Sequence, residues 1–383
     1  MRISFILPVA NMSGGTKVIG IYAQELKRRG HDVFLISVPP PQLSVRTKLR
    51  SWLRGSGWPS DRPPSHLDKM GLDHRIIDSW RPVTDDDVPD GDIVIATWWR
   101  TAEWVNDLCP QKGAKVYFIQ GHEVFPYLPL ERCRATYRLP MHKVVVARWL
   151  KQVMIDDYGD STVDVVPNSV DHSQFFAPVR RKQGVPTVGF LYSRVAFKGL
   201  DITLAALKAV TKKFPDLKMI SFGGEQPSPP MTLPAGVEFT FHPAQDQIRD
   251  IYSRCDVWVT ASASEGFNLP AMEAMACRTP VVATRTGWPE EAVKSGHNGM
   301  LVDIHDIEAL AHGVEYVLSQ SDEGWTRLSS NAFETVRGSS WVASASMFED
   351  ALFNARNRAA RGEIGGGSSD LNPADRNSEL HAR

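Results

Sequence analysis

The chain has 383 residues, 42% of them hydrophobic and 23% charged, with 43 Lys plus Arg against 44 Asp plus Glu. One hydrophobic core stops growing below that length, so two domains are expected, and the balanced charge argues against a nucleic-acid partner. Cys109, Cys133, Cys255 and Cys277 lack metal-ligand or redox-motif spacing and read as reduced thiols of a cytoplasmic protein. No apolar run reaches the roughly 18 residues of a transmembrane helix. Met1 to Ala10 lacks the length and cleavage site of a signal peptide and reads as a first strand.

In chain order, Ile3 to Val9 is a short apolar run followed by Asn11-Met12-Ser13-Gly14-Gly15. Val18, Ile19, Tyr22, Ala23 and Leu26 then recur at helical spacing up to Gly30, which makes one βα unit. His31 to Val38 is a second strand. Apolar runs at Ile93–Ala96, Val116–Ile119, Val144–Ala147 and Val163–Val166 alternate with helical stretches, the pattern of a parallel sheet covered on both faces.

Residues 39–70 interrupt that rhythm. Prolines bracket a basic segment with Arg46, Lys48, Arg50 and Arg54 beside Leu49, Trp52 and Leu53. A basic-aromatic patch of this kind suits anionic lipid or a lipid-linked acceptor, which makes 43–54 a candidate for weak peripheral membrane contact at the inner face of the membrane. A solvated excursion shielding the sheet edge is the favoured reading.

Arg180 to Gly184 reads as a linker, after which the βα pattern restarts. Strands are predicted at Pro186–Tyr192, Met219–Phe222, Val237–Thr240, Val257–Ala261, Val281–Thr284 and Met300–Val302, with a helix over Leu200–Phe214. The fold class is therefore α/β with two doubly wound, Rossmann-like, parallel-sheet halves, one over 1–175 and one over 176–339. Trp341, Ala345, Phe348, Ala351, Leu352 and Ala355 define an amphipathic helix over 340–361. The Gly-rich, apolar-poor stretch 362–383 is expected to be a disordered tail.

The most informative segment starts at Ala261. A buried strand ends there, and the chain turns through Glu265-Gly266-Phe267-Asn268 into a helix with Pro270 at its first position. Amides of Asn268, Leu269 and Ala271 would face the crevice where open α/β sheets bind ligands, and an anionic phosphate would be stabilised there. Glu265 and Glu273, the latter expected in the first helical turn, can accept hydrogen bonds from vicinal hydroxyls of a ribose or hexose. Taken singly, Glu265 reads better as a loop carboxylate and Glu273 as a glutamate favoured by the helix dipole; it is their shared context that points to a site.

The stretch Glu265-Gly266-Phe267-Asn268-Leu269-Pro270-Ala271-Met272-Glu273-Ala274-Met275-Ala276-Cys277 resembles the donor-site signature of glycosyltransferase family 4, the group 1 glycosyltransferases. The likeness continues through Thr279-Pro280-Val281-Val282-Ala283-Thr284, Gly287-Trp288-Pro289-Glu290 and Gly296-His297-Asn298-Gly299-Met300-Leu301-Val302. Relatives often carry Gly-Gly where this chain has Gly287-Trp288. The resemblance implies the GT-B fold and a retaining, metal-independent transfer of a sugar from a nucleotide-diphosphate donor to a glycan or lipid-linked acceptor. Bacterial polysaccharide or surface-glycan assembly is the setting it suggests, and no cofactor is implied besides the nucleotide sugar. By that resemblance Glu273 holds the ribose, Glu265 contacts the donor sugar, and Phe267, Asn268 and Leu269 offer backbone amides.

A departing nucleoside diphosphate needs a cationic partner, and Arg194 and Lys198 sit at a strand-to-helix turn where cations oppose the dipole unless an anion is present. They resemble the family's Arg and Lys-Gly pair, with one residue fewer between them. Gly14 and Gly15 are similar to the family's glycine turn facing the cleft; the Gly-x-Gly-x-x-Gly fingerprint of nicotinamide binding is absent. His122, in Gln120-Gly121-His122-Glu123, occupies the place of a cleft histidine that orients donor or acceptor, with Glu123 as a possible partner. Trp98 and Trp99 offer stacking surfaces for an acceptor sugar, or simply core. Asp85-Asp86-Asp87 contains an Asp-x-Asp pattern but lies in a polar turn before a strand, so a solvated loop is favoured over a metal site. A nucleotide-sugar epimerase of the same architecture and a non-catalytic nucleotide-sugar binder are the competing readings.

Overall fold

The computed structural model describes residues 1–40 and 64–365, with Arg46, Leu49 and Trp52 between them. The rest of the 43–54 segment, and 366–383 of the expected tail, lie outside the described residues. Among the described residues no helix is long and apolar enough to cross a membrane.

The first half builds a seven-stranded sheet from β1 (Arg2–Leu7), β2 (Asp32–Ser37), β3 (Asp73–Ile76), β4 (Ile93–Ala96), β5 (Ala114–Ile119), β6 (His142–Val145) and β7 (Asp164–Val165). Its order is β3-β2-β1-β4-β5-β6-β7 and every pairing is parallel. Helices α1 (Gly14–Arg28), α2 (Trp99–Asp107), α3 (Leu130–Thr136) and α4 (Arg148–Tyr158) connect the strands. Every residue of β4, β5 and β6 is buried, as strands covered on both faces require.

The second half repeats the plan with β8 (Thr187–Leu191), β9 (Lys218–Gly223), β10 (Glu238–Phe241), β11 (Val257–Thr260), β12 (Val281–Thr284) and β13 (Gly299–Val302), in the order β10-β9-β8-β11-β12-β13. Its helices are α5 (Leu200–Val210), α6 (Gln245–Ser253), α7 (Leu269–Ala276), α8 (Trp288–Ala292), α9 (Ile307–Leu318) and α10 (Asp322–Val336). In both sheets the order reverses beside the first strand, and the carboxyl ends of the strands at that switch point are where such sheets hold ligands.

Helix α11 (Trp341–Ala360) returns to the first sheet and packs on α1, β4, β5 and β6. Its Phe348 ring stacks on Tyr22 at 4.7 Å and meets Phe118 at 5.0 Å. Glu349 binds His31 at 2.5 Å and Arg29 at 3.0 Å.

The segment read as a linker is docked along the second half. The Arg180 guanidinium lies 4.4 Å from the Trp325 ring and donates to Cys255 O and Thr279 Oγ1. Lys182 Nζ donates to Leu318 O at 2.6 Å and Gln320 O at 2.9 Å, satisfying carbonyls at the end of α9. Basic side chains here serve as caps for a neighbouring helix and loop.

Candidate active site

The turn from β8 to α5 is pressed against the end of β11. Gly199 has φ +64°, and a Cβ there would stand 2.1 Å from Ala261 O, so glycine is required twice over. Ala263 N–H donates to Phe197 O at 2.7 Å. This docking brings Lys198 Nζ to 2.7 and 2.8 Å from the two oxygens of Glu265. Ser262 Oγ also donates to Glu265 Oε1, at 2.7 Å, and Glu265 N–H donates to Thr286 Oγ1 at 3.2 Å. The Glu265 side chain is only 10% exposed while Lys198 keeps 30%, so the cation forms the open lip of the pair.

Arg194 does not join it. Its guanidinium pairs with Glu225 and donates to Ser228 Oγ at 3.3 Å, with 47% of the side chain exposed. The acidic partner after β9 engages the guanidinium instead.

Asn268 caps α7 from a left-handed conformation, φ +80°. Its Oδ1 accepts the Ala271 N–H at 3.4 Å and its Nδ2 donates to Thr260 Oγ1 at 3.0 Å. The Ala271 amide, expected to greet an anion, is therefore taken by the cap, and Pro270 occupies the second helical position. Phe267 is buried and stacks on Trp288 at 5.7 Å, while its carbonyl accepts Trp288 N–H at 2.8 Å. Trp288, the departure from the family pattern, thus braces the turn from behind.

Glu273 falls in the second turn of α7 and not the first. Tyr252 Oη donates to its Oε2 at 3.0 Å. Its Oε1 lies 3.4 Å from Lys17 Nζ, a cation on α1 of the opposite half. Leu269 and Glu273 line a cavity of about 970 Å³ together with Lys17, Phe175 and Gln245.

Across the cleft, Ser13 caps α1 by accepting Thr16 N–H at 3.3 Å. Gly14 faces open space, and Gly15 O accepts from Gln120 Nε2 at 3.3 Å. The two halves meet backbone to backbone: a Cβ on Gly266 would sit 1.6 Å from Gln120 O. Trp149 Nε1 donates to Gly266 O at 3.0 Å, and Phe125 stacks on Phe197 at 4.7 Å. His122 sits in the residue pair after Gln120, at the join between the halves. Its Nε2 is 2.7 Å from Tyr158 Oη, and burial holds the imidazole below its ordinary range.

Glu123 is not the partner of His122. Its Oε2 accepts Trp99 N–H at 3.3 Å, capping the start of α2, and burial of the carboxyl itself, in a residue otherwise partly exposed, raises it to about 8. Trp99 is fully buried and belongs to the core, while Trp98 remains partly exposed. Asp87 is buried against Arg81, which holds its carboxyl down to about 2, and Asp85 accepts Cys109 N–H. The aspartate run forms a short 3-10 turn with Asp87 buried, not the solvated loop expected, and among the described residues no group of three or more His, Cys, Asp or Glu is placed to hold a metal.

Lys17, Gln245, Tyr252 and Ser262 escaped the sequence reading. Lys17 alone carried a signal: it is a cation in the first turn of a helix just after Gly14-Gly15, where the dipole disfavours it without an anion.

With this geometry in place, residues 172–335 match the family described as glycosyl transferases group 1. The chain carries a group 1 glycosyltransferase domain. The D-inositol 3-phosphate glycosyltransferase of Corynebacterium glutamicum is 34% identical over 198 residues, 46% of this chain and 47% of that one. Its counterpart in Mycolicibacterium smegmatis is 34% identical over 213 residues, 50% of this chain and 48% of that one. The chain thus spans about half the length of the curated relatives it matches. Among solved structures, S. aureus TarM is similar with a TM-score of 0.69 at 12% identity, covering 92% of this chain and 100% of that one. Anabaena HepE in complex with UDP-glucose gives 0.67 at 16%, covering 92% and 100%. Sucrose-phosphate synthase of Thermosynechococcus elongatus gives 0.67 at 16%, covering 94% and 100%. At these identities the likeness is one of fold, and the fold is GT-B. The glycosyltransferase domain supplies Lys198, Glu265 and Glu273, and the first half faces it with His122, Gly14 and Lys17.

Proposed function

We propose that the protein transfers a sugar from a nucleotide-diphosphate donor to an acceptor hydroxyl, with retention at the anomeric carbon and without a metal. The Lys198–Glu265 pair carries the reading. A cation bound to a carboxylate at the carboxyl ends of β8 and β11 lies where a departing diphosphate needs charge stabilisation. Glu265 is engaged by Lys198 and Ser262, which suits it to position the sugar hydroxyls and not to attack the anomeric carbon. In front-face transfer the acceptor oxygen bonds to the anomeric carbon as the bond to the diphosphate oxygen breaks. The acceptor proton passes to that departing oxygen, and Lys198 offsets the charge that remains on the diphosphate. Glu273 receives the ribose hydroxyls, and neutral His122, aligned by Tyr158, orients the sugar or acceptor from the other half.

The D-inositol 3-phosphate named for the relatives is one acceptor to include, beside glycan and lipid-linked acceptors of surface-glycan assembly. The cytoplasmic side of the membrane is the setting we favour, in keeping with four free cysteines. The test is a hydrolysis and binding screen over UDP-, GDP-, ADP- and dTDP-sugars, followed by product analysis. Transfer or hydrolysis of one donor, lost in Lys198→Ala, is the expected result. An epimerised free sugar formed without acceptor, or no binding of any of these donors, would overturn the reading.

A further inference from the structure

The resting protein already fills the place on Glu273 that the donor is assigned. We propose that Lys17 is a cross-cleft stand-in for the donor's ribose, occupying Glu273 Oε1 until the vicinal hydroxyls displace it. This rests on the donor-site reading above and adds to it a residue from the opposite half that sets how strongly ribose is bound.

The case begins with burial. The Glu273 side chain is 10% exposed, and a carboxylate so enclosed needs donors for both oxygens. Tyr252 supplies one, to Oε2 at 3.0 Å, from within the same half. Oε1 has the Lys17 ammonium, from α1, at 3.4 Å. That separation exceeds the roughly 2.7–2.9 Å of a strong charge-assisted bond. Lys17 is held more closely elsewhere: Nζ donates to Gln245 Oε1 at 2.9 Å and lies 5.4 Å from the Phe175 ring centroid. Gln245 is itself gripped by Gln174, whose Nε2 donates to Gln245 O at 3.0 Å.

The ammonium therefore has a parking place independent of Glu273. A ribose diol can take Oε1 while Lys17 stays on Gln245 and Phe175, and all of these groups line the 970 Å³ cavity that would receive it. A pair whose only task was to tie the halves together would not need the cation anchored to a neutral amide beside its carboxylate. The stand-in is in the way of one part of the ligand only, the ribose diol, so it acts on ribose recognition more than on the diphosphate.

The experiment compares the affinity of a nucleoside diphosphate with that of its 2′,3′-dideoxy form, using whichever of UDP and GDP the wild type binds more tightly. Taking the ratio of the two dissociation constants cancels any general effect of the lost charge on an anionic ligand. In Lys17→Met, removing the competitor is expected to raise the preference for the ribose form by roughly two- to five-fold, the scale of a weak ion pair. Lys17→Gln, which keeps a hydrogen-bonding head on a slightly shorter side chain and loses the charge, is expected to move the ratio the same way by less, and decides the matter if the methionine variant fails to fold. An unchanged or lowered ratio in the folded variant overturns the proposal. Wild-type protein that binds no nucleoside diphosphate overturns the donor-site reading instead, so the two failures are separate.

Discussion

Lys198 and Glu265 form a two-pronged ion pair, Nζ to each carboxylate oxygen at 2.7 and 2.8 Å, across the turn that follows β8 and the turn that follows β11. The pair reinforces the backbone bond from Ala263 N–H to Phe197 O, which already ties the same two turns. It also leaves the cation as the more exposed member. Removing it is expected to act on the reaction far more than on the fold. Lys198→Ala should lower kcat/KM by about 10²–10³, or ~3–4 kcal/mol, the scale for deleting one preorganised charge stabiliser. Its melting temperature should stay close to that of the wild type, and a large drop in stability with intact turnover would contradict the assignment.

Glu273 is expected to act on donor binding. On the proposed donor-site reading, Glu273→Ala removes the acceptor of the ribose hydrogen bonds, and hydrogen bonds to a charged group contribute about 1.5–3 kcal/mol. Donor KM should rise by the corresponding order of magnitude or two while acceptor KM holds, measured by initial rates with each substrate varied in turn.

His122 is held below its ordinary range by burial, which favours the neutral imidazole. If it orients the reacting sugar in that form, activity falls only when the imidazole is protonated. The acid limb of kcat/KM should then lie below the usual histidine value of 6.5. His122→Asn should remove that limb; a limb lying above 6.5 in the wild type would exclude the histidine as its source.

Glu123 offers a test through stability. Its carboxyl is raised to about 8 by burial, so the folded protein holds a proton that the unfolded chain releases near its ordinary value of 4.5. The folded-state pKa is the higher one. The stabilisation is therefore complete below about pH 4.5 and is lost as pH climbs towards 8. Through that window this group lowers stability by up to about 1.4 kcal/mol per pH unit. Denaturant unfolding of Glu123→Gln across pH 5 to 8 should show a flatter profile than the wild type.

The two adjacent tryptophans should separate cleanly. Trp99 is fully buried, and Trp99→Ala should cost about 3–5 kcal/mol, as for other large core aromatics. Trp98 is partly exposed beside it, so Trp98→Ala should cost less stability, read by the same unfolding assay.

The βα alternation was legible because strands such as β4 and β5 are buried on both faces and so read as unbroken apolar runs. The edge strand β3 was not: Asp73–Ile76 is half exposed and polar, and its strand character comes from pairing with β2. Within the site, Lys198 and Glu265 were found because each stands in a local motif at a strand end. Lys17 and Glu273 are 256 positions apart, and only the closure of one half upon the other brings them together. Arg194 shows the converse limit. Its local motif placed it beside Lys198, but Glu225, 31 residues on, supplied a competing carboxylate. Likewise, the left-handed cap at Asn268 shows only in the backbone, and it assigns Ala271 N–H to the protein and not to a ligand.

The return of α11 to the first sheet also has a bearing on how the molecule is made. Phe348 completes an aromatic cluster whose other members, Phe5, Tyr22 and Phe118, leave the ribosome more than two hundred residues earlier. During synthesis the first half must wait with that surface uncovered until nearly the whole chain has emerged. The second half, whose sheet and helices lie between residues 187 and 336, can mature on its own schedule. A fragment cut near residue 180 would be permanently in the waiting condition, with a greasy face where its last helix belongs.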